Sequence, residues 1–401
     1  MVSGHLQVKS GRYYAVINYK DSDNKRKVKW IALGLPEKGN KLRAEEMLLK
    51  LRSEFKPPVT IDDLSGYMLF TDYLLQWVEI AKSRIALATY SSYKNMIDRT
   101  IVPYFMPKNL ILREVQAKHL QRFYSEQLER VKPNTVIRYH SVIHTALQYA
   151  FKTDLVVQNV ASKVDRPRKN DFEPVFLSAE EMQKMLNALH GHRLELPVLV
   201  AAFYGLRREE VLGLRWDAID FKRETISIKH TVTCVNLNGK DMDIAKNSAK
   251  SKSSLRTLPL VGQFKKYFQQ VKEMQEYNKK ICGNSYNYEF DGYVFVDEMG
   301  NRMSPRYLST AFPQFLVSHG LKKMRFHDLR HSCASLLLAN GISLKHIQDW
   351  LGHSDFATTA NIYAQLDYSS KLLSAQTLEN GLNLPQANIA RSAWYDIEKN
   401  P

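Results

Sequence analysis

Tyr13, Ala15, Ile17 and Tyr19 recur every second residue, the period that puts side chains on one face of a β-strand. The polar run Asp21-Ser22-Asp23-Asn24 then marks a turn, and the pattern resumes from residue 25 to 33. The reading is a small antiparallel, three-stranded sheet. Between residues 42 and 55 the period lengthens, with Met47, Leu48 and Leu51 at helical spacing, so one helix can cover one face of the sheet. The tandem prolines of Lys56-Pro57-Pro58 break helix and strand alike and set a boundary near residues 57–67.

Over residues 67–163 the pattern is helical. Leu74, Leu75, Trp77, Val78 and Ile80 share one segment, Thr89 is placed to cap the next, and two further helices are expected at 115–128 and 133–151. The last begins at a proline, which costs little in a first turn because its missing N–H would have had no partner there. The basic aromatic runs Arg122-Phe123-Tyr124 and Arg138-Tyr139-His140 read as core aromatics with charges snorkelling outward, the alternative being contact with nucleic acid. Residues 163–171 (KVDRPRKND) are polar, basic and interrupted by proline, as a linker crossing DNA would be, and include Arg166 and Arg168. Beyond residue 172 helices mix with a few strands. Ser178-Ala-Glu-Glu is a capping box. Residues 225–235 alternate as a strand with 255–260 as its partner, and the polar, lysine-rich stretch 236–254 between them predicts a long mobile loop. After Gly381 no periodicity persists.

The charge balance changes the picture. The 401 residues carry 57 Lys and Arg against 41 Asp and Glu, a formal net charge of +16, which favours a polyanionic partner. An anionic membrane surface is the weaker alternative, because no stretch approaches the roughly 18 apolar residues of a spanning helix, and the expectation is a soluble, intracellular protein without membrane contact. Residues 1–58 hold 13 Lys and Arg against 6 Asp and Glu, so the sheet face left open by the helix is expected to be basic, with Lys25, Arg26, Lys27 and Lys29 on a ribbon that could lie in a DNA groove. The three cysteines, Cys234, Cys282 and Cys333, have no CxxC spacing and suggest neither disulfides nor a thiolate zinc site.

Four local patterns could carry chemistry. In Tyr204-Gly205-Leu206-Arg207-Arg208-Glu209-Glu210, a glycine turn enters a helix with Arg207 one turn before Glu210, so a guanidinium that forks onto a phosphate could be held from behind by the carboxylate; a surface ion pair is the plainer alternative. In His327-Asp328-Leu329-Arg330-His331 the first and fourth residues project from one helix face. His327, His331 and His353 could instead hold zinc, but the glutamate of the zinc-protease pattern is missing and Arg330 would repel a dication. Leu351-Gly352-His353 ends a helix, with Tyr363 ten residues beyond His353. The fourth is the basic run Lys250-Ser251-Lys252-Ser253-Ser254-Leu255-Arg256, from which a lysine could protonate a leaving oxygen.

Taken in order, Gly205-Leu206-Arg207-x-x-Glu210, Lys250, His327-x-x-Arg330, Leu351-Gly352-His353 and Tyr363 resemble the tyrosine recombinases, or phage integrase family, over about 160 residues, and most of all integrases of phages and conjugative transposons. The resemblance implies an α+β multidomain chain: an arm-type DNA-binding domain at 1–57 (three-stranded sheet plus helix), a helical core-binding domain at 67–163, a mixed, mainly α catalytic domain with a small antiparallel sheet at 172–381, and a tail at 382–401. It implies that Arg207 and Arg330 hold the scissile phosphate, that His327 and His353 add hydrogen bonds, that Tyr363 attacks phosphorus and that Lys250 is the general acid, with Lys246 and Lys252 as competitors for that role. Neither metal nor other cofactor is implied. The implied partners are duplex DNA at core and arm-type sites, a homotetramer passing through a Holliday junction, and accessory bending or excision proteins; the implied location is the bacterial cytoplasm, at the nucleoid. Three rivals stand beside this reading: a type IB-like topoisomerase, a non-catalytic DNA-binding regulator, and the zinc hydrolase.

Overall fold

A computed structural model describes residues 3–20, 26–55, 65–170, 175–247 and 255–352. The chain divides into two units, residues 1–171 with 235–242, and residues 172–234 with 243–401.

The first unit opens with β1 (Ser3–Lys9), β2 (Arg12–Lys20) and β3 (Arg26–Pro36), antiparallel in that order, followed by α1 (Lys41–Glu54). Tyr13, Ala15 and Ile17 form the buried stripe expected of the two-residue period, joined by Leu33 and by Ala44 of α1, with Met47, Leu48 and Leu51 packed against them. The register corrects one expectation. Lys27 pairs with Tyr19 and Lys29 with Ile17, so both lysines lie on the side that α1 covers, and the Lys29 Nζ sits 5.7 Å from the ring centre of Phe55. The uncovered face carries Arg26 but centres on Val28 and Trp30, both exposed, with Trp30 edge-on to Tyr14. That face is aromatic with basic corners rather than basic throughout, because alternation in β3 sends Lys27 and Lys29 the other way. Lys25 lies outside the described residues.

The helical part comprises α2 (Phe70–Ala81), α3 (Leu87–Met96), α4 (Val102–Phe105), α5 (Ala117–Leu128) and α6 (Pro133–Lys152). A widened π-helical turn at Ile97–Ile101 joins α3 to α4. Thr89 lies inside the first turn of α3 and the cap position falls to Ala86, whose extended backbone starts the helix without a side-chain bond. Phe123, Tyr124, Tyr139 and His140 are buried while Arg122 and Arg138 face outward, the snorkelling arrangement. The segment 235–242 belongs to this unit, with the Asn236 carbonyl accepting from Ser91 Oγ at 2.7 Å and Asn95 Nδ2 at 2.9 Å. Arg166 and Arg168 are exposed on a stretch that is neither helix nor strand.

The second unit contains α7 (Ala179–Ala188), α8 (Glu195–Tyr204), α9 (Arg208–Leu212), β4 (Ile219–Asp220), β5 (Thr225–Ile228), the first four residues of β6 (Thr231–Leu237), the last four of β7 (Lys240–Lys246), β8 (Arg256–Pro259), α10 (Gly262–Cys282), α11 (Pro305–Ser318), α12 (Asp328–Ala339) and α13 (Leu344–Leu351). Ser178 caps α7 through the reciprocal bonds with Glu181 that its sequence predicts. β4, β5 and β8 form an antiparallel sheet. The single strand expected over 225–235 is broken at Lys229-His230, and its second part pairs with β7 rather than entering a loop. The cause is the Asn238-Gly239 turn, both residues at positive φ (52° and 82°), the geometry that folds a tight hairpin. Residues 248–254 lie outside the described residues. Among the described residues no helix is long and apolar enough to cross a membrane.

Candidate active site

α8 is apolar after Glu195, with six of its ten residues buried, and its last turn is closed by Gly205 in the left-handed region (φ 61°), which turns the chain so that Arg207 becomes the cap of α9. The Arg207 N–H donates to Glu210 Oε2 at 3.0 Å, and its Nη1 donates to Oε1 at 2.7 Å. Glu210 is 2% exposed and also receives Arg256, whose Nη2 donates to Oε2 at 3.0 Å. Burial by itself would raise the Glu210 pKa; the charges of Arg256, Arg207 and Arg330 outweigh it and hold the carboxyl ionised, below its ordinary value. The i,i+3 pair was legible in the sequence. Arg256 was not, because it reaches Glu210 only through the β5–β8 pairing, in which it lies opposite Ile228.

Arg330, on the first turn of α12, is 1% exposed. Its Nη1 donates to the Gly205 carbonyl and its Nη2 to the Leu351 carbonyl, both at 2.7 Å. Burial, then the repulsion of Arg207, lowers its pKa to about 9, so the group remains charged at neutral pH. Asp328 beneath it is buried and paired with Arg325, whose Nη2 donates at 2.6 Å. His327 immediately precedes α12. Burial first, then the charges of Arg330, Arg325 and Arg207, push its pKa down to about 4. Its imidazole is neutral at pH 7, able to donate a hydrogen bond without adding a fourth cation.

α13 closes the arrangement. Ser343 caps its start and Gly352, left-handed at φ 69°, ends it. Its last turn presents three successive carbonyls, and each accepts from a different arginine: Trp350 O from Arg256 Nε at 2.8 Å, Leu351 O from Arg330 Nη2 at 2.7 Å, Gly352 O from Arg207 Nη2 at 3.4 Å. Carbonyls at a helix C-terminus lack intrahelical partners and sit at the negative end of the helix dipole, so cations are favourable there. Three guanidinium groups against the one carboxylate of Glu210 leave two positive charges, an environment suited to a phosphodiester.

Arg207, Glu210, His327 and Arg330 therefore converge. Lys250, its competitor Lys252, His353 and Tyr363 lie outside the described residues, whereas Lys246 ends β7. There Asn247 Oδ1 accepts from Nδ1 of buried His230 at 2.6 Å, and His230 Nε2 lies 2.9 Å from the Tyr293 hydroxyl. Neither His230 nor Asn247 stood out in the sequence, since a lone histidine between two strands carries no pattern. Among the described residues no group of three His, Cys, Asp or Glu is placed to hold a metal; the zinc alternative also needs His353.

Residues 175–370 match the phage integrase family, and residues 69–128 match the N-terminal SAM-like domain of phage integrases. The two stretches together cover more than half of the chain, which belongs to the phage integrase family of tyrosine recombinases, enzymes of DNA strand cleavage and rejoining. A tyrosine recombinase XerC-like protein of Caldanaerobacter subterraneus subsp. tengcongensis is 27% identical over 388 residues, 93% of this chain and 97% of the relative. Among solved structures, the Tn1549 transposon integrase in complex with transposon right end DNA matches with a TM-score of 0.61 at 18% identity, covering 78% of this chain and 100% of its own. The lambda integrase tetramer bound to a Holliday junction matches with a TM-score of 0.56 at 18% identity, covering 89% and 94%. These last two likenesses are of fold.

Proposed function

We propose that this protein is a site-specific recombinase of a mobile DNA element, cutting and rejoining duplex DNA through Tyr363. The observation that carries the reading is that Arg207 and Arg330 both donate to the end of α13, where Gly352 stands eleven residues before that tyrosine, and that His327 lies within reach of both their charges. Arg207 and Arg330 grip the non-bridging oxygens of the scissile phosphate, and neutral His327, with His353, donates hydrogen bonds to the charge that grows there. The Tyr363 oxygen, passing its proton to water, bonds to phosphorus; the P–O5′ bond breaks, and the departing 5′-oxygen takes a proton from Lys250. The 3′-phosphotyrosyl ester keeps the energy of the broken diester, so the reverse attack by a 5′-hydroxyl reseals DNA without ATP or metal.

In this reading residues 1–57 bind arm-type sites, 67–163 grip the core site together with Arg166 and Arg168, 172–381 form the catalytic domain, and the tail 382–401 docks on a neighbouring subunit. The active assembly is a homotetramer that passes through a Holliday junction, assisted by accessory DNA-bending or excision proteins at the bacterial nucleoid. A separate sheet module with an exposed aromatic face supports recombination over simple relaxation, since two DNA specificities bridge distant sites.

The test is incubation with a nicked suicide duplex carrying a candidate core site, followed by denaturing electrophoresis. Wild type should give a DNA–protein adduct, insensitive to EDTA, that Tyr363→Phe does not. DNA binding without an adduct would favour the regulator, and an adduct from the variant would exclude Tyr363.

A further inference from the structure

We infer that Arg256 is a positioning residue for strand cleavage, fixing two parts of the site with one guanidinium. The inference rests on the proposed strand-transfer reading and gives Arg256, the last residue of the basic run 250–256, a role that reading does not assign. The Arg256 side chain is 7% exposed, and its guanidinium is bonded to protein groups of the site. One edge of its guanidinium donates to Glu210 (Nη2 to Oε2 at 3.0 Å, Nη1 to Oε1 at 3.4 Å), and its Nε donates to the Trp350 carbonyl at 2.8 Å. Glu210 in turn orients Arg207 through two bonds, and Trp350 is two residues before Gly352, where the chain leaves for His353 and Tyr363. A single planar fork thus ties the start of α9, which aims Arg207, to the end of α13, which sets where the nucleophile's segment begins.

The chemistry calls for arginine. Glu210 must be ionised to hold Arg207, and at 2% exposure burial works against that charge, with Arg256 the foremost of the cations that offset it. Lysine could answer the charge of Glu210, but its single ammonium lacks the fixed fork that reaches the carboxylate and the Trp350 carbonyl together. With Arg256 removed, Glu210 keeps its bonds to Arg207 and the more distant charge of Arg330 and draws the Arg207 guanidinium inward, while the last turn of α13 loses one of its three fasteners. A purely structural ion pair would lower stability and leave the chemistry of the folded fraction intact.

The experiment compares the full chain with Arg256→Lys and Arg256→Gln, each alone and with Arg207→Lys. It reads single-turnover cleavage of the suicide duplex, affinity for the same duplex, and the unfolding midpoint. We expect Arg256→Gln to cut cleavage by about 100-fold, the scale of a displaced catalytic group, with affinity changed no more than a few-fold and Arg256→Lys falling in between. In the Arg207→Lys background, where the fork to be oriented is already gone, Arg256→Gln should cost far less. Should the glutamine variant fail to fold, the lysine variant carries the same comparison. Full additivity, or a cleavage loss no larger than the unfolded fraction, would overturn the inference. Absence of an adduct from wild type would sink the strand-transfer reading and this role with it, whereas a wild-type adduct formed equally fast by Arg256→Gln would sink this role alone.

Discussion

Gly205 lies so close to Leu351 that a β-carbon at 205 would overlap the leucine Cδ2 methyl, with the Cys333 sulfur behind it. The same glycine sits at φ 61° and offers its carbonyl to Arg330. Gly205→Ala should therefore cost about 1–3 kcal/mol from the left-handed backbone and the crowded core together, and should slow cleavage by shifting Arg330. Gly191→Ala is the control, since Gly191 has φ 74° but open space around it, and only backbone strain should register. Denaturant unfolding of the two variants checks this; equal losses would mean that packing on Leu351 is irrelevant.

Arg207→Ala should suppress cleavage far more than DNA binding, because the side chain is held inward by Glu210 and the Gly352 carbonyl and is one cation among 57 Lys and Arg. Affinity and adduct formation on one duplex decide the matter. Equal losses would reduce Arg207 to a residue that merely docks DNA.

Acid should weaken the fold in a predictable window. Burial is the leading cause that lowers His140, His327 and His331 to about 4 from an ordinary 6.5, so each binds fewer protons folded than unfolded between those values. Above about pH 6.5 nothing is lost; as pH falls toward 4, protons bind preferentially to the unfolded chain and stability declines. His140, 7% exposed and edge-on to Tyr124, is the best placed to show it. Urea unfolding from pH 7.5 down to 4.5 should show a shallower decline for His140→Gln than for wild type, and an unchanged slope would assign the loss elsewhere.

Deleting residues 1–56 should leave cleavage of a core site largely intact while weakening recombination between full sites. Trp30→Ala, on the uncovered sheet face, should reproduce part of that defect without loss of stability, as its side chain is 47% exposed. Recombination by the truncated chain at the full rate would remove the arm-binding role.

What the sequence disclosed was local. The Ser178–Glu181 box, the proline start of α6 and the Arg207–Glu210 pair each join residues within one turn, so spacing reveals them. β7 escaped because six of its seven residues are exposed and only Ile244 is half-buried, leaving no alternation to read. The face taken by Lys27 and Lys29 depends on strand register, which composition does not contain. The triple capping of α13 joins residues 94, 21 and 145 positions apart, and only the tertiary fold brings them to one helix end.

Depth divides the positive charges of this molecule into two populations with different responses to ionic strength. Added salt screens exposed cations such as Arg166 and Arg168 and competes with DNA for them. Arg330 and Arg256, at 1% and 7% exposure, are bonded to carbonyls and a buried carboxylate that salt scarcely reaches. Brine that keeps free protein off DNA should therefore leave the interior of the site assembled, and a complex already joined to its strand through Tyr363 should still reseal that strand.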